Sequence, residues 1–441
     1  MLCQYGVNTV KERRIRAMNL LTWLSRRRFP YEPLIQLEIS RQNLIHNLHE
    51  FKKLAPKDHH GNPSIAPVLK SNAYGHGLIE IARALEHEHH IPFFIVDSYF
   101  EAIALRAQGF KHPLLVIGYT RPETIRSSNL PDISFTVTSL DTLRTIAHQK
   151  IEHWPSNEGK LGFRSPRLRF RPKMVHIHLK IDTGMRRQGI LPEEVDEAIN
   201  LLKHDGAGKR PIILEGIMSH LCDADDADES FSEKQICIWN KIVERFKHEH
   251  EFKTLRYIHL SATDGHRLTG DIHANVSRLG IGLYGLSDNP AFSGRLDLRP
   301  VLKMKTIITG VKKLKEGETV GYGNTFKATR DMTIATIPVG YFEGLDRRLS
   351  SGPNNQSVGY VQVGNVSCPI VGRVSMNIAS IDISDVAKIA GARNVKNGDE
   401  VIVISDNSAD QNSIVNMAKK CGTISYDIAV HIPAHLKRVV V

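Results

Sequence analysis

VLKSNAYGHG, residues 68–77, ends an apolar run that begins Ile65-Ala66-Pro67 and turns at once into a polar, glycine-rich segment. A lysine at the tip of a buried strand either terminates that strand or is held there for chemistry. The pattern repeats along the chain. Runs rich in Ile, Val, Leu and Phe follow at 93–97, 114–118, 133–138, 174–181, 212–218, 257–261 and 276–281. Helical patterns separate many of them, at 78–87, 99–108, 140–149, 192–203 and 232–248. Continuous apolar runs suit parallel strands covered on both faces. Eight such units in about 220 residues predict an α/β fold, a (β/α)8 barrel. A doubly wound open sheet is the alternative, but no Gly-x-Gly-x-x-Gly fingerprint or phosphate-loop lysine supports it.

Upstream, a short strand pattern covers 34–39, and Ser40 is placed to cap a helix with Leu44, Ile45, Leu48, Phe51 and Leu54 on one face. From about residue 300 the rhythm changes. The runs at 301–311, 333–339, 358–363, 366–373, 378–382 and 400–405 are short and often alternate, with turn signals such as KEGE, SGPNN and KNGDE between them. This predicts a second, mostly β domain. The expected organisation is a basic, disordered N-terminal extension over 1–32, the barrel over 33–299 and the β-rich domain over 300–441. The stretch 151–173 is expected as a surface loop or short hairpin ahead of the fifth strand.

With 441 residues, 41% hydrophobic and 24% charged, the chain reads as two soluble globular domains. The net charge of +11 suggests a polyanionic partner until its location is traced. Seven basic residues against Glu12 alone fall in 1–30, and six with no acid fall in 160–173, so the remainder is near neutral. Two local patches argue against a nucleic-acid groove. No run approaches membrane-spanning length. "MNLLTWL" (18–24) is followed by "SRRRFP" rather than a small-residue cleavage site, which speaks against secretion. The five scattered cysteines show no metal or disulfide spacing and fit a reducing cytoplasm. His59-His60, HEHH (87–90) and DADDAD (223–228) are read as solvated surface rather than metal sites.

Barrel folds carry reactive groups where their strands end. Lys70 ends the first strand, KIDTGMRRQG (180–189) the fifth, MSHLCDADD the sixth with His220, and HLSATDG the seventh with Thr263. SRLGIGLYG, with Arg278, Gly280 and Ile281, covers the eighth. Polar groups from five strand ends thus converge on one rim.

These segments, with VGYGNTF (320–326), IPVGYFEG (337–344), GRVSMN (372–377) and ISYDI (424–428) in order, resemble the alanine racemase family over about residues 34–441. The resemblance implies a pyridoxal 5'-phosphate enzyme interconverting L- and D-alanine, supplying D-alanine for peptidoglycan in the cytoplasm. It implies Lys70 as the Schiff-base lysine and Tyr322 as the base on the opposite face. A phenol near pKa 10 is only about 0.1% ionised at pH 7, so it needs neighbours, and His220 matches the family histidine beside it. Arg278 matches the arginine facing the cofactor's ring nitrogen. A guanidinium does not give up its proton, so that nitrogen stays unprotonated and the ring is a weaker electron sink. Tyr74, Thr263, Gly280, Ile281 and Tyr426 match the phosphate-binding positions. Arg187, Tyr341 and Met376 match the substrate-binding ones, and Lys180 matches a lysine often carbamylated in this family. A head-to-tail homodimer is implied, with Tyr322 serving the other chain's Lys70. Metal, membrane and nucleic acid have no place in this scheme.

Four positions depart from the pattern: Asn377 replaces the usual aspartate, Ala262 an asparagine, Thr263 a serine, and Arg186 a small residue. They leave serine or broad-specificity racemisation as an alternative. A non-catalytic cofactor-binding barrel is a rival of another class, although it would lack the second domain. A decarboxylase of the same plan would use a cysteine in that domain, where Ser375 stands and Cys368 lies nearby.

Overall fold

The structure of the protein is a computed structural model that describes residues 32–148, 174–204, 211–252, 255–268, 270–389 and 395–441. The expected extension up to residue 31 and the insertion at 151–173 lie outside the described residues. The chain enters through β1 (Gln36–Ile39) and α1 (Arg41–Lys52). The Ser40 hydroxyl caps α1 by accepting from the Asn43 N–H at 3.2 Å, and Leu44, Leu48 and Phe51 on the inward face are buried. Then β2 (Ile65–Pro67) and α2 (Leu78–Leu85) begin a repeating unit. It continues through β3 (Phe94–Val96), α3 (Tyr99–Ala107), β4 (Leu114–Val116), α4 (Pro122–Ser127), β5 (Ile133–Val137), α5 (Leu140–His148) and β6 (Val175–Lys180). It ends with α6 (Val195–His204), β7 (Ile212–Met218), α7 (Ser230–Lys247), β8 (Tyr257–His259) and β9 (Ser277–Leu279).

All eight expected barrel strands are present, and they close on themselves. β3 to β8 form one parallel sheet in chain order, and β2 pairs with β9 in parallel, Ile65 opposite Ser277. The two pieces are joined by a bridge from Val68 to Ile95 and by Arg278 N–H donating to the Ser261 carbonyl at 3.0 Å. Among the described residues no α-helix lies between β9 and residue 300. The vacant outer place is taken by α1, whose Asn47 amide donates to the Leu283 and Arg299 carbonyls. One helix, α4, was not legible: at six residues, opened by Pro122, it is too short to show a helical period.

The second domain is built on β10 (Leu302–Ile307), β11 (Gly310–Leu314), β12 (Thr319–Val320), β13 (Phe326–Lys327), β14 (Met332–Ile337), β15 (Tyr360–Val363), β16 (Val366–Val371), β17 (Ala379–Asp382), β18 (Glu400–Ile404) and β19 (Lys437–Val440). Nine strands share one sheet, in the order β11-β14-β17-β16-β15-β18-β10-β1-β19. The strand at 36–39, which sequence order places with the barrel, therefore belongs to this sheet. It lies antiparallel to β10 and parallel to β19, with Leu37 and Ile39 fully buried. Both ends of the described chain thus bind the domains together. Helices α8 (Ser384–Ile389), α9 (Ile414–Cys421) and α10 (Ser425–Val430) complete the domain, and α10 packs against the segment that follows Lys70.

Candidate active site

A cavity of about 660 Å3 opens at the C-terminal ends of the barrel strands. Lys70, Tyr74, Lys180, Arg187, His220, Thr263, Arg278, Gly280, Ile281 and Tyr426 all line it. Sequence separations of more than 350 residues are closed here.

Lys70 is set by an unusual piece of backbone. Ser71, Asn72, Ala73 and Tyr74 have φ of 56°, 55°, 53° and 50°, a full left-handed turn of four L-residues. Such a conformation costs about 1–2 kcal/mol per residue, so the turn stores roughly 4–8 kcal/mol and persists only where its surroundings over-determine it. They do. The Ala73 N–H donates to the Leu69 carbonyl at 2.8 Å, and the Asn72 N–H to a Glu101 carboxylate oxygen at 3.3 Å. The Asn72 side-chain oxygen caps α2 by accepting from the Leu78 N–H at 2.9 Å. Arg438, from β19, donates to the Gly75 carbonyl at 2.7 Å. Gly75, at φ 80°, cannot be replaced lightly, because a Cβ there would lie 2.0 Å from the Ala429 carbonyl oxygen of α10.

Arg278 organises the floor of the cavity. Its Nη1 donates to the His259 ring at 3.0 Å and to the His259 carbonyl at 2.9 Å. Its Nη2 donates to the Ser219 carbonyl at 2.7 Å, the Leu260 carbonyl at 2.8 Å and Nδ1 of His220 at 3.1 Å. Burial draws the guanidinium down to about 10, so it stays cationic across the working range. A guanidinium only donates, so Nδ1 of His220 is an acceptor and the ring carries its proton on Nε2. Burial, followed by the cations Arg278, Arg187, Lys180 and Lys70, depresses His220 to about 3, and the ring is neutral. Burial and then Arg187 pull Lys180 down to about 8.

The phosphate-class positions also meet. The hydroxyl of Tyr74 lies against Gly280, where an added Cβ would approach it to 2.9 Å. The N–H groups of Gly280 and Ile281 find no backbone acceptor among the described residues, while the Gly282 N–H donates to the Thr263 hydroxyl at 3.3 Å. Tyr74 and Tyr426 pack edge to face at 5.8 Å, and burial raises both phenols. Acids share this wall. Asp97, Asp225, Asp264 and Asp288 line the cavity, and burial pushes Asp264 up.

Three expected residues are not brought to Lys70 within the chain. Tyr322, Tyr341 and Met376 are 69%, 43% and 55% exposed and line no part of that cavity. Tyr341 and Met376 sit together on the second domain, which also carries Tyr322. The Tyr341 N–H donates to the Ser375 carbonyl at 3.1 Å, and the Phe342 N–H to that of Met376 at 2.9 Å. Asn377 donates to Glu343 at 2.6 Å, a contact an aspartate there would turn into repulsion. The hairpin β12–β13 that presents Tyr322 stands on its own apolar cluster of Val320, Phe326, Met332 and Ile334. Cys368, the thiol the decarboxylase alternative leaned on, is buried in β16, and burial pushes it up to about 12.

Sequence reasoning missed Glu101, Arg438 and His259. Glu101 had a visible signal, since Ser98 and Glu101 form a capping box at the start of α3. Arg438 had none.

Comparison with known proteins agrees with this geometry. Residues 39–288 match the family described as alanine racemase, N-terminal domain, and residues 301–440 match alanine racemase, C-terminal domain. The alanine racemase of Lactiplantibacillus plantarum is 32% identical over 376 residues, 84% of this chain and 89% of that protein. Alanine racemase 1 of Caldanaerobacter subterraneus subsp. tengcongensis is 31% identical over 404 residues, 92% and 94% of the two. The solved alanine racemase of Clostridium difficile 630 superposes with a TM-score of 0.76 at 29% identity, covering 93% of this chain and 96% of that one. The fold is shared as well by a histidine racemase from Leuconostoc mesenteroides subsp. sake, at 23% identity and a TM-score of 0.73. The chain is a racemase-type isomerase and belongs to the alanine racemase family.

Proposed function

We propose that the protein is a pyridoxal 5'-phosphate-dependent alanine racemase that works as a homodimer and provides D-alanine for cell-wall precursors in the cytoplasm. One observation carries the reading. A single cavity is lined by Lys70, Lys180, Arg187, His220 and Arg278 together with the hydroxyl-bearing Tyr74, Thr263 and Tyr426 and with Gly280 and Ile281, whose N–H groups find no backbone acceptor among the described residues.

The residues present fit the cofactor. The Nη groups of Arg278 are taken up by His259, Ser219, Leu260 and His220, while its Nε–H has no acceptor among the described residues and suits an unprotonated ring nitrogen. Tyr74, Thr263, Tyr426 and the N–H groups of Gly280 and Ile281 would hold the phosphate, with Gly280 leaving room that a Cβ would fill. Joined to Lys70, the cofactor supplies an electron sink that acidifies the α-hydrogen of a bound amino acid.

Lys70 moves a proton at the α-carbon from one face, and the phenolic oxygen of Tyr322 from the other. Because Tyr322 is exposed and remote from its own chain's cavity, a partner subunit's Tyr322 meets Lys70. His220, neutral with its proton on Nε2, donates towards that phenol and stabilises the ionised form it needs. Arg187, Tyr341 and the Met376 N–H hold the substrate carboxylate. A carbamate on Lys180 would turn a like charge beside Arg187 into an anchor, and a pKa near 8 leaves enough free amine for it to form.

Broader specificity is the second reading. It is favoured by the Asn377–Glu343 pair at the second domain. A panel of L-amino acids scored by loss of optical rotation tests the assignment: alanine should turn over fastest. Inertness toward every amino acid would overturn it. Tyr322→Phe should impair α-deuterium exchange from one enantiomer far more than from the other, and equal retention would refute the two-base reading.

A further inference from the structure

A (β/α)8 barrel is normally filled by layers of branched apolar side chains, yet here a string of polar rings runs through it. Residues 176, 178 and 180 of β6 share one face by strand alternation, and His178 and Lys180 are both buried. His178 Nδ1 lies 2.8 Å from His259 Nε2, and His259 Nδ1 lies 3.0 Å from Arg278. His178 also lines a second cavity of about 470 Å3 at the opposite end of the barrel, with His176, Glu215 and Arg256.

The directions along this string are forced. Arg278 only donates, so His259 accepts on Nδ1 and carries its proton on Nε2. That proton is donated to His178 Nδ1, which leaves the His178 proton on Nε2. There it faces Glu215 across 3.9 Å, a charge–dipole contact rather than a hydrogen bond. From Arg278 Nη1 through His259 to His178, the N–H groups of the string therefore point away from the cavity, towards the carboxylate of Glu215.

Two backbone features make room for this. An added Cβ at Gly216 would lie 2.7 Å from His178 Nδ1, so the ring occupies the place of a side chain on β7. The β6–β7 register slips at the same point, from Ile177 opposite Leu214 to His178 opposite Gly216, and Glu215 is the extra residue. A bulge re-aims a side chain. Glu215 accepts from the Ser134 hydroxyl at 2.5 Å and lies 3.8 Å from His176 and 3.9 Å from Arg256. The His178 ring stacks on Tyr257 and meets Phe93 edge-on. Burial and then Arg278 and His176 hold it neutral, at about 3.

We propose that His178, aligned by Glu215, is a positioning residue: by accepting the Nε2 proton of His259 it holds that ring against Nη1 of Arg278 in the Nε2–H tautomer, and so helps to leave the Arg278 Nε–H as the proton offered to the cavity. The inference rests on the racemase reading for its kinetic consequence alone.

Nitrogen NMR of the histidine rings in the unmodified full-length chain tests it without turnover. His178 and His259 are expected as neutral Nε2–H tautomers from pH 5 to 9; a cationic ring, or an Nδ1–H form of either, overturns the proposal. Two substitutions then separate positioning from packing. His178→Asn keeps an acceptor near Nδ1 but leaves a void, whereas His178→Phe fills the volume without an acceptor. Loss of a hydrogen bond tied to a buried charge predicts a fall in kcat of about 10- to 100-fold for H178F, with KM little changed and H178N within a few-fold of the unmodified enzyme. The reverse order would show that the ring merely fills space. Absence of racemisation in the unmodified chain would instead remove the functional reading while leaving the NMR result standing.

Discussion

Arg438 offers a test of how the fold sets Lys70. It lies in β19, close to the end of the chain, yet its Nη2 and Nε both donate to the Gly75 carbonyl, at 2.7 and 3.1 Å. Its remaining donors hold the Leu436 carbonyl at 2.9 Å and the Pro433 carbonyl at 3.1 Å. Arg438→Met keeps most of the stem's packing and removes the guanidinium. The Gly75 carbonyl then loses a charged donor in a part-buried site, which costs about 1–3 kcal/mol. That is a sizeable fraction of the roughly 4–8 kcal/mol stored in the left-handed turn, so the turn should relax in part of the population. Two observables separate the account from simple destabilisation. The urea midpoint should fall by the amount above divided by the m-value, with m unchanged. Well below that midpoint, where the chain is folded, kcat should still fall, by up to about tenfold for a shift of 1.4 kcal/mol, because such a shift changes the ratio of working to relaxed turn by one decade. Arg438→Lys, with a single charged donor, should fall between. A lowered midpoint with unchanged kcat in folded protein would refute the idea that Arg438 holds the turn in its working form.

Other outcomes follow from the same geometry. Lys180 titrates near 8 in the fold against 10.5 in the open chain, so the unfolded state binds more protons between those values and stability should climb with pH across that window. Lys180→Met should flatten the rise in urea titrations run from pH 7 to 10.5; an unchanged slope contradicts the assignment. Arg186 sits at φ 56° with its N–H donating to Asp182 at 3.0 Å, so Arg186→Gly should raise stability by about 1 kcal/mol through relief of backbone strain. A lower denaturation midpoint in that variant would mean that the side chain holds the loop.

The barrel was legible because its strands, covered on both faces, are unbroken apolar runs, and because each reactive group ends one of them. What failed was non-local. β1 has an alternating pattern that fits either domain, and only pairing with β10 and β19 decides between them. The left-handed turn has no signal in Ser71-Asn72-Ala73, since its determinants, Glu101 and Arg438, arrive from other elements. His178 and His259 read as interruptions of apolar strands. Their meaning appears only when adjacent strands place the two rings 2.8 Å apart. The placement of Tyr322 was expected from family resemblance, which also implies that it serves another chain; in the single chain it is exposed and lines no part of the Lys70 cavity.

Mixing two inactive variants tests the shared site directly. Lys70→Ala and Tyr322→Phe chains, refolded together at equal concentration, should form hybrid dimers with one complete and one doubly damaged site. Hybrids are half of a random mixture of C2 dimers, so about one quarter of the unmodified racemase activity should return. Activity no greater than the sum of the separate variants, in a sample shown to contain hybrids, would contradict a site built from Lys70 of one chain and Tyr322 of another.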